Sequence, residues 1–303
     1  MQRFDESELM GPTLRQLEIL VAIADHGGFG AAADVLGMSQ SSVSHSLSSL
    51  ERTVQGELVH RVAPVRLTRL GEALLPHARA TLAGARAFNI AAAAHRGADT
   101  AAPIALAVPP TAAHGLLPDL MVLWRERLPH VQVKIFEGFD EELGRWLEDG
   151  TVDAAVLIDP DPVPPGAVTL ATDTFHAVVR RDHPLAGQNS IDLADLLDDP
   201  LLSSTAGCEP QVRRLHSLAG LRYQPAQRIR EVTTLLSMVE AGLGVAAVPS
   251  LTANLLPEAL TLVPLLPRLD RHLVLTGPTT RPWHPYVTAV RDVCENHTRS
   301  QQA

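Results

Sequence analysis

Apolar residues near the start of the chain recur at three- and four-residue intervals, the spacing of amphipathic helices. One such stretch, 14–24, ends before Gly27 and Gly28, because glycine tolerates the backbone angles that terminate a helix. A short alanine-rich helix is predicted over 30–36, and a turn at Gly37 leads into a third helix. The pattern therefore predicts a helix, a turn, a helix and then a further helix.

The third of these helices has two different faces. Val43, Leu47 and Leu50 share an apolar face, and Ser39 stands where its hydroxyl can cap the helix. The opposite face carries small polar side chains and lacks the i,i+4 ion pairs that are usual on a solvated helix. Its members are Gln40, Ser41, Ser44, His45 and Ser48. Such a helix fits a DNA major groove, where glutamine can form two hydrogen bonds with adenine. The alternative is an all-helical interaction domain with a solvated serine-rich face.

In these residues the chain resembles the LysR-type transcriptional regulators, and the resemblance extends over nearly the whole sequence. The family's N-terminal pattern is matched at Leu14, Leu17, Phe29, Ala32, Ala33, Leu36, Ser39, Gln40, Val43, Ser44, Leu50, Glu51, Leu58, Arg61, Leu67, Thr68 and Gly71. Three positions depart from it. His45 stands where arginine is more frequent, Val59 where phenylalanine is usual, and Pro64 near the position of a second phosphate-binding arginine in a short wing.

The resemblance implies an α/β protein with an N-terminal all-α winged helix-turn-helix, a linker helix and a two-lobed effector domain like the periplasmic binding proteins. The expected divisions are a flexible N-terminus (1–12), the DNA-binding domain (13–69), a dimerising linker helix (70–96) and the effector domain (97–303). Within the last, lobe I is expected over 103–160 and 268–297, and lobe II over 165–264. A short hinge is expected over 97–102.

The predicted DNA contacts divide into two kinds. Gln40, Ser44 and His45 are expected to contact bases or nearby phosphates. Arg61 and Arg66 flank the wing and are expected to bind the DNA backbone. The full predicted set is Ser39, Gln40, Ser41, Ser44, His45, Ser48, Arg52, Arg61 and Arg66.

The linker helix carries a stripe of apolar and small residues that includes Leu74, Thr81 and Phe88. A stripe of this kind on a helix without surrounding structure favours pairing with a second copy. We therefore predict a homodimer, or a tetramer built from dimers. The alternative is a helix whose stripe packs on its own domain.

After Pro103 the pattern changes to alternating strands and helices, which predicts a parallel, doubly wound sheet. Among the predicted elements are helices near 113–128 and 191–197 and strands near 168–170, 177–180 and 272–276. A proline-rich crossing over 159–166 and a return crossing over 263–267 would join two small α/β units. Ligands of such sheets bind beyond the carboxyl ends of the strands. The residues at those ends form the predicted effector site, namely Pro110, Thr111, Phe139, Asp140, Ser203, Ser204, Thr205 and Pro249. Asp140 replaces a small hydroxyl residue common in the family, so a strongly anionic ligand is disfavoured near it.

Composition and motif spacing limit the classes of protein to which the chain can belong. The net charge of −9 argues at first against nucleic acid, but four arginines against two acids over 39–69 leave a local charge of +2. The sequence shows neither an apolar run of membrane-spanning length nor a secretory signal, so a cytoplasmic protein is expected. No metal-ligand spacing appears among the histidines and cysteines. Gly242-Leu243-Gly244 lies between a helix and a strand, the wrong order for a dinucleotide fingerprint, so no cofactor is predicted.

We therefore predict a DNA-binding transcriptional regulator whose small-molecule effector binds between two lobes, and not an enzyme. The alternatives are a clamshell ligand-binding protein or enzyme with an accessory helical domain, and a DNA-binding protein that needs no effector. Cys208 is interpreted as an ordinary buried or loop cysteine, with a redox sensor as the alternative.

Overall fold

The computed structural model describes residues 11–62, 64–96, 102–205 and 207–302. Residues 1–10 of the predicted N-terminal segment (1–12) and residues 97–101 of the predicted hinge (97–102) lie outside the described residues. The chain forms two compact units, one N-terminal and one C-terminal. In the described part of the chain, none of the helices has the length and apolarity that crossing a membrane requires.

The N-terminal unit is a winged helix-turn-helix followed by a long helix. Its elements are α1 (Leu14–His26), α2 (Phe29–Leu36), α3 (Gln40–Thr53), β1 (Val59–His60), β2 (Arg66–Leu67) and α4 (Arg69–His95). Gly27 and Gly37 end the first two helices in the left-handed region, with φ of 73° and 62°. The expected order of elements is confirmed, and α1 ends two residues later than the apolar pattern alone indicated.

The core of this unit is formed by the apolar faces of α1 to α4. Val43, Leu47 and Leu50 are buried as predicted, and Ala78 and Leu82 of α4 join the same core. A Cβ at Gly71 would lie 2.1 Å from the carbonyl oxygen of Leu58, so only glycine lets the start of α4 approach β1 this closely. The first half of α4 therefore packs on its own domain, as the alternative interpretation of its stripe proposed.

The C-terminal unit contains ten strands and seven α-helices in its described part. They are β3 (Ala102–Val108), α5 (Pro110–Gly115), α6 (Leu117–Arg127), β4 (Val131–Glu137), α7 (Asp140–Glu148), β5 (Ala154–Ile158), β6 (Val168–Arg180), β7 (Ile191–Asp192), α8 (Leu193–Leu196), β8 (Leu201–Ser204), α9 (Glu209–Leu218), β9 (Gln227–Ile229), α10 (Val232–Glu240), β10 (Val245–Pro249), β11 (Leu260–Leu266), β12 (Asp270–Thr276) and α11 (Pro285–Gln302). A 3-10 helix, Ser250–Leu255, follows β10.

One long strand joins the two halves of this unit. The first part of β6, up to Thr174, pairs antiparallel with β12, whereas Phe175 and the residues after it pair antiparallel with β10 and β11. We call lobe I the part built on β3, β4, β5, β12 and the start of β6. Lobe II is the part built on the rest of β6 with β7 to β11.

Three details differ from the sequence-based expectation. The sheet is mixed rather than all-parallel, because β6 and β12 run antiparallel to their neighbours. The first change of lobe occurs inside β6, after the proline-rich segment 159–166. The predicted return crossing over 263–267 is largely strand β11, paired with β6 and β7, so the chain returns to lobe I after it.

Two helices of the structure also differ from the predicted ones. The helix expected over 113–128 is two helices, α5 and α6, separated at Leu116. Pro118 explains the break, because proline has no N–H to donate and its ring clashes with the carbonyl four residues earlier in a continuous helix. The helix expected over 191–197 begins with the short strand β7, and only the single turn α8 remains helical.

Candidate functional site

The N-terminal half of α3 presents a polar surface that is held in place locally. The Ser39 hydroxyl accepts a hydrogen bond from the backbone N–H of Ser42 at 3.2 Å, which confirms the predicted cap. Gln40 and His45 are exposed along the helix, as is Ser41, so hydrogen-bonding groups are available to a partner. Three buried residues on the opposite face fix the orientation of the helix.

Arg61, at the start of the wing, lies against this same polar surface. Its Nη2 donates to the Ser48 hydroxyl at 2.8 Å and to the Glu51 carboxylate at 2.7 Å, and its Nη1 donates to the Ser44 hydroxyl at 3.4 Å. Ser44 and Ser48 are therefore half-buried rather than fully exposed. The structure therefore brings a wing arginine and the polar face of α3 together, although the two were predicted as separate kinds of DNA contact.

The two other predicted arginines lie apart from this cluster. Arg66 is exposed on β2, paired in register with His60 across the wing. Arg52 is exposed near the end of α3, where its Nε donates to the carbonyl oxygen of Ser48 at 3.4 Å. Ala63, inside the wing, is outside the described residues.

An apolar groove of about 280 Å³ lies beside α4 in the N-terminal unit. Leu74 and Thr81 line it together with residues of α1 and α3, including Leu17 and Leu50. Phe88, further along α4, is 74% exposed, which is unusual for so large an apolar side chain. Two of the three predicted interface residues thus border a groove, and the third is an exposed aromatic ring.

In the C-terminal unit Arg271 on β12 is a fully buried charged residue, with its side chain 0% exposed. Asp173 on β6 receives two hydrogen bonds from it, from Nε at 2.8 Å and from Nη2 at 2.7 Å. The Nη1 of Arg271 donates to the Thr111 hydroxyl at 3.1 Å and lies 3.9 Å from the Cys208 sulfur. This cluster joins residues of lobe I to Cys208, which precedes α9 of lobe II.

A second carboxylate, Asp140 at the start of α7, stands near this cluster. Burial raises the pKa of Asp140 to about 6, against the opposing charge of Arg271, and Asp159 and Glu141 add to the rise. Its Oδ1 is buried and has no hydrogen-bond partner among the described residues. A Cβ at Gly207 of lobe II would lie 3.3 Å from this oxygen, so glycine leaves room for the carboxylate between the lobes.

Two cavities lie on either side of this region. Thr111, Pro110, Ser204 and Pro249 line a small one of about 60 Å³, together with Cys208. Phe139, Asp140 and Thr205 line a larger one of about 520 Å³. Ser203 lines neither cavity. Its hydroxyl accepts a hydrogen bond from Tyr223 at 2.6 Å inside lobe II. The structure therefore groups seven of the eight predicted effector residues around two neighbouring spaces.

The surroundings of Thr111 and Cys208 affect the chemistry that is available to each side chain. The Thr111 hydroxyl, expected to face a ligand, accepts its hydrogen bond from Arg271 instead. Burial raises the pKa of the Cys208 thiol to about 11, although Arg271 acts in the opposite direction. Nothing in the described part of the chain groups three metal-ligating side chains.

Sequence reasoning missed Arg271 and Asp173 at the centre of the lobe junction. The alternating burial of β12 places Arg271 on the same face as Leu273 and Leu275, but the predicted strand began one residue too late to reveal it. Asp173 lies where two separate strands were expected and one continuous strand exists. The arginines of the larger cavity, Arg213, Arg228 and Arg230, were missed as well, because they lie on exposed positions of α9 and β9 and just beyond β9.

Comparison with known proteins agrees with both units. Residues 14–72 match the bacterial regulatory helix-turn-helix proteins of the lysR family, and residues 97–299 match the LysR substrate binding domain. An uncharacterized HTH-type transcriptional regulator, YvbU of Bacillus subtilis, is 30% identical over 89% of this chain and 93% of its own. A probable hydrogen peroxide-inducible genes activator of Mycobacterium avium is 34% identical over 78% of each chain. Full-length OxyR from Pseudomonas aeruginosa has the same fold, with a TM-score of 0.74 at 24% identity over 93% of this chain and 94% of its own.

Proposed function

This chain belongs to the LysR family of bacterial transcriptional regulators, and we propose that it reads DNA through Gln40, Ser44 and His45 of α3. As a member of that family it is a DNA-binding regulator with an effector-binding domain. Relatives with these two units are named as transcriptional regulators rather than enzymes. We also propose a cytoplasmic location, because a bacterial regulator must reach its DNA.

The observation that carries the proposed base contacts is the capped, polar face of α3. Gln40 and His45 are exposed on the turns that follow the Ser39 cap, and the N-terminal half of a recognition helix is the part that enters the major groove. The glutamine amide is suited to an adenine edge, which offers one acceptor and one donor. Ser41 and Ser39 lie at the helix start, where hydroxyl groups and backbone N–H groups suit a phosphate.

We assign the backbone contacts to Arg61, Arg66 and Arg52. Arg61 already lies on the face that would meet DNA, with its side chain 46% exposed. A phosphate can replace Glu51 as its partner, because the half-exposed guanidinium keeps its access to water and Glu51, whose side chain is 11% exposed, retains a hydrogen bond from the backbone N–H of Leu58. Ser48, which shares Arg61 with Glu51, would then border the same phosphate.

A pair of variants tests this division. A duplex selected from a randomised library supplies the cognate site. Gln40→Ala should cost about 1–3 kcal/mol on that duplex and much less on unrelated DNA. Arg66→Ala should weaken both about equally and flatten the salt dependence. Gln132→Ala and Arg222→Ala, exposed positions of the C-terminal unit, serve as matched controls. Equal losses on both DNAs for Gln40→Ala would contradict the assignment.

We propose that the face bordered by Leu74, Thr81 and Phe88 associates with a second copy of the chain. The exposed aromatic ring of Phe88 and the apolar groove beside α4 support this. Leu74 also packs against the core of its own unit, so replacing it would destabilise the domain as well as an interface. Phe88→Glu is the cleaner test, with Asn89→Glu, an exposed neighbour, as its control. Sedimentation should show a smaller particle for Phe88→Glu alone, and an unchanged particle would place the interface elsewhere.

The proposed effector site is the larger inter-lobe cavity. Its size is within the range of small-molecule sites, roughly 300–1,000 Å³, whereas the cavity beside Thr111 is about 60 Å³. Phe139 and Asp140 of lobe I meet Thr205 and Gly207 of lobe II at its wall, so a ligand there would contact both lobes. A ligand that favours one arrangement of the lobes would shift the population of DNA-bound states. Thr205→Val should weaken binding of any metabolite that raises the melting temperature, by about several-fold for one lost hydrogen bond.

A second candidate signal for this regulator is hydrogen peroxide, which would oxidise Cys208. The Mycobacterium avium relative is named for peroxide induction, and Cys208 lies in the cluster that joins the lobes. The thiolate sulfur would attack one peroxide oxygen, the O–O bond would break, and hydroxide would leave and become water as the sulfur is oxidised to sulfenic acid. Because burial raises the pKa of this thiol to about 11, the reaction should be slow at neutral pH. Mass spectrometry after peroxide treatment, with Cys208→Ser as the control, tests it, and an unmodified Cys208 would exclude it.

A further inference from the structure

The larger inter-lobe cavity has walls of opposite charge. Lobe I contributes the carboxylates of Asp140 and Glu141. Lobe II contributes three guanidinium groups and one carboxylate, which belong to Arg213, Arg228, Arg230 and Glu209. The cavity therefore presents an acidic side and a basic side to any molecule within its volume of about 520 Å³.

The basic side keeps an excess of positive charge. Glu209 accepts hydrogen bonds from Arg213 at 2.6 Å and from Arg228 at 2.7 and 2.6 Å, so one carboxylate serves two arginines. Burial alone would raise the pKa of Glu209, but these hydrogen bonds outweigh it and hold the pKa below its usual range. Arg230 lies over the Phe139 ring at 4.7 Å, and its contact with Glu231 is a long one, at 3.8 Å. An anionic group would find partners on this side without displacing Glu209.

The acidic side has unused hydrogen-bonding capacity. Asp140 lines the cavity, and its Oδ1 is a buried acceptor with no partner among the described residues. Arg271 of β12 and Cys208, which precedes α9, face Asp140, while Asp159 and Glu141 add negative charge around it. Arg271 donates to Asp173 from two nitrogens, and Asp140 forms no ion pair with it or with another residue in the described part of the chain. A donor group on a ligand would satisfy this carboxylate.

From this arrangement, and resting on the proposed effector site, we infer that the cavity binds a small zwitterion of the α-amino acid class. The ammonium group contacts Asp140 of lobe I, and the carboxylate contacts Arg230 and Arg228 of lobe II. The ligand therefore bridges the lobes with one charge on each. A simple carboxylic acid leaves Asp140 unpartnered beside a second negative charge, and a simple amine leaves the arginines without an anion. Both are disfavoured relative to the zwitterion.

The test uses the full-length chain and matched probes. The standard amino acids are screened by thermal shift, and each hit is compared with the carboxylic acid that lacks its amino group and the amine that lacks its carboxyl group. Titration calorimetry then gives the three affinities. We expect the zwitterion to bind at least about tenfold more tightly than either partial molecule, the size of effect that one lost charge-assisted hydrogen bond produces.

Two variants connect this preference to the proposed residues. Asp140→Asn should reduce zwitterion affinity about tenfold or more while leaving affinity for the deaminated acid unchanged or higher. Arg230→Gln should reduce affinity for both. Asp195→Asn and Arg222→Gln make the same chemical changes at exposed positions of lobe II and should have no effect. Because the pKa of Asp140 is about 6, zwitterion affinity of the parent should fall about fourfold between pH 7.5 and pH 5.5, and this fall should be absent in Asp140→Asn.

Several outcomes overturn the inference. The inference is wrong if the deaminated acids bind as tightly as the amino acids. It is also wrong if Asp140→Asn binds the zwitterion as tightly as the parent does, or if no amino acid binds. Gel shifts on the selected duplex are measured in parallel. Suppose that the protein still distinguishes the selected duplex from unrelated DNA, and that a ligand that is not a zwitterion binds more weakly to Thr205→Val than to the parent. The proposed effector site is then supported, and only the ligand class is wrong. If every ligand that binds is unaffected by Thr205→Val, Asp140→Asn and Arg230→Gln, the site itself is wrong.

Discussion

Two arginines in this protein bind similar groups in opposite surroundings. Arg61 donates to Glu51 and to two serine hydroxyls on the surface of α3, with its side chain 46% exposed. Arg271 of β12 donates to Asp173 of β6 and to the Thr111 hydroxyl of α5 inside the effector domain, with its side chain 0% exposed. The chemical partners are nearly the same, and burial is the variable that differs.

That difference predicts separate roles for the two arginines, binding for Arg61 and structure for Arg271. An exposed guanidinium exchanges one anion for another because water stabilises it during the exchange. A buried one cannot, because removal of its partner leaves an uncompensated charge in a low-dielectric interior. We therefore expect Arg61 to change partners when DNA arrives, and Arg271 to keep Asp173 in every state of the folded domain.

The largest expected effect is at Arg271. Arg271→Met leaves Asp173 buried without its partner and should lower the free energy of unfolding by about 3–5 kcal/mol. All three tryptophans, Trp124, Trp146 and Trp283, lie in the C-terminal unit, so their fluorescence in urea reports on that unit. The double variant Arg271→Met with Asp173→Leu removes both charges and should regain much of the loss. A double variant as unstable as the single one would show that packing, and not charge, is the cause.

An intermediate effect is expected at Asp140, whose carboxylate is buried and forms no ion pair with another described residue. Its folded pKa of about 6 lies above the ordinary value of 3.8, so the folded state holds the proton more tightly than the unfolded state. The stability that this proton provides is therefore lost as pH rises from about 4 through 6. Asp140→Asn should raise the melting temperature at pH 7.5, and the advantage should disappear at pH 4. A variant less stable than the parent at pH 7.5 would contradict this sign.

The smallest effect on stability is expected at Arg61. Arg61→Gln should change the free energy of unfolding by less than about 1 kcal/mol, because Arg61 is half-exposed and Glu51 keeps its hydrogen bond from the backbone N–H of Leu58. Its effect should appear in DNA binding instead, where the slope of log affinity against log salt should fall by about one. Glu51→Gln, which releases Arg61, should leave that slope unchanged or raise it. A salt slope that is unaffected by Arg61→Gln would show that this arginine does not meet a phosphate.

Most elements of the N-terminal unit could be predicted from the amino-acid sequence. Its information is local: apolar positions at helical spacing, a serine cap at Ser39 and glycines at the ends of α1 and α2. Each of these acts within a few residues, so no long-range contact was needed to infer it. The same reasoning located most strands and helices of the C-terminal unit, since their apolar runs are also local signals.

Contacts between residues that are distant in the sequence could be identified only from the tertiary structure. Arg61 reaches α3 from a position 10 residues beyond Glu51, and Arg271 reaches Asp173 across 98 residues. The passage of β6 through both lobes was hidden for the same reason, because pairing partners determine where one sheet ends and the next begins. Burial is a property of the assembled fold, since each charge is desolvated by atoms from several elements. The sequence therefore shows which side chains can form ion pairs, but only packing determines which of those pairs lose their contact with water.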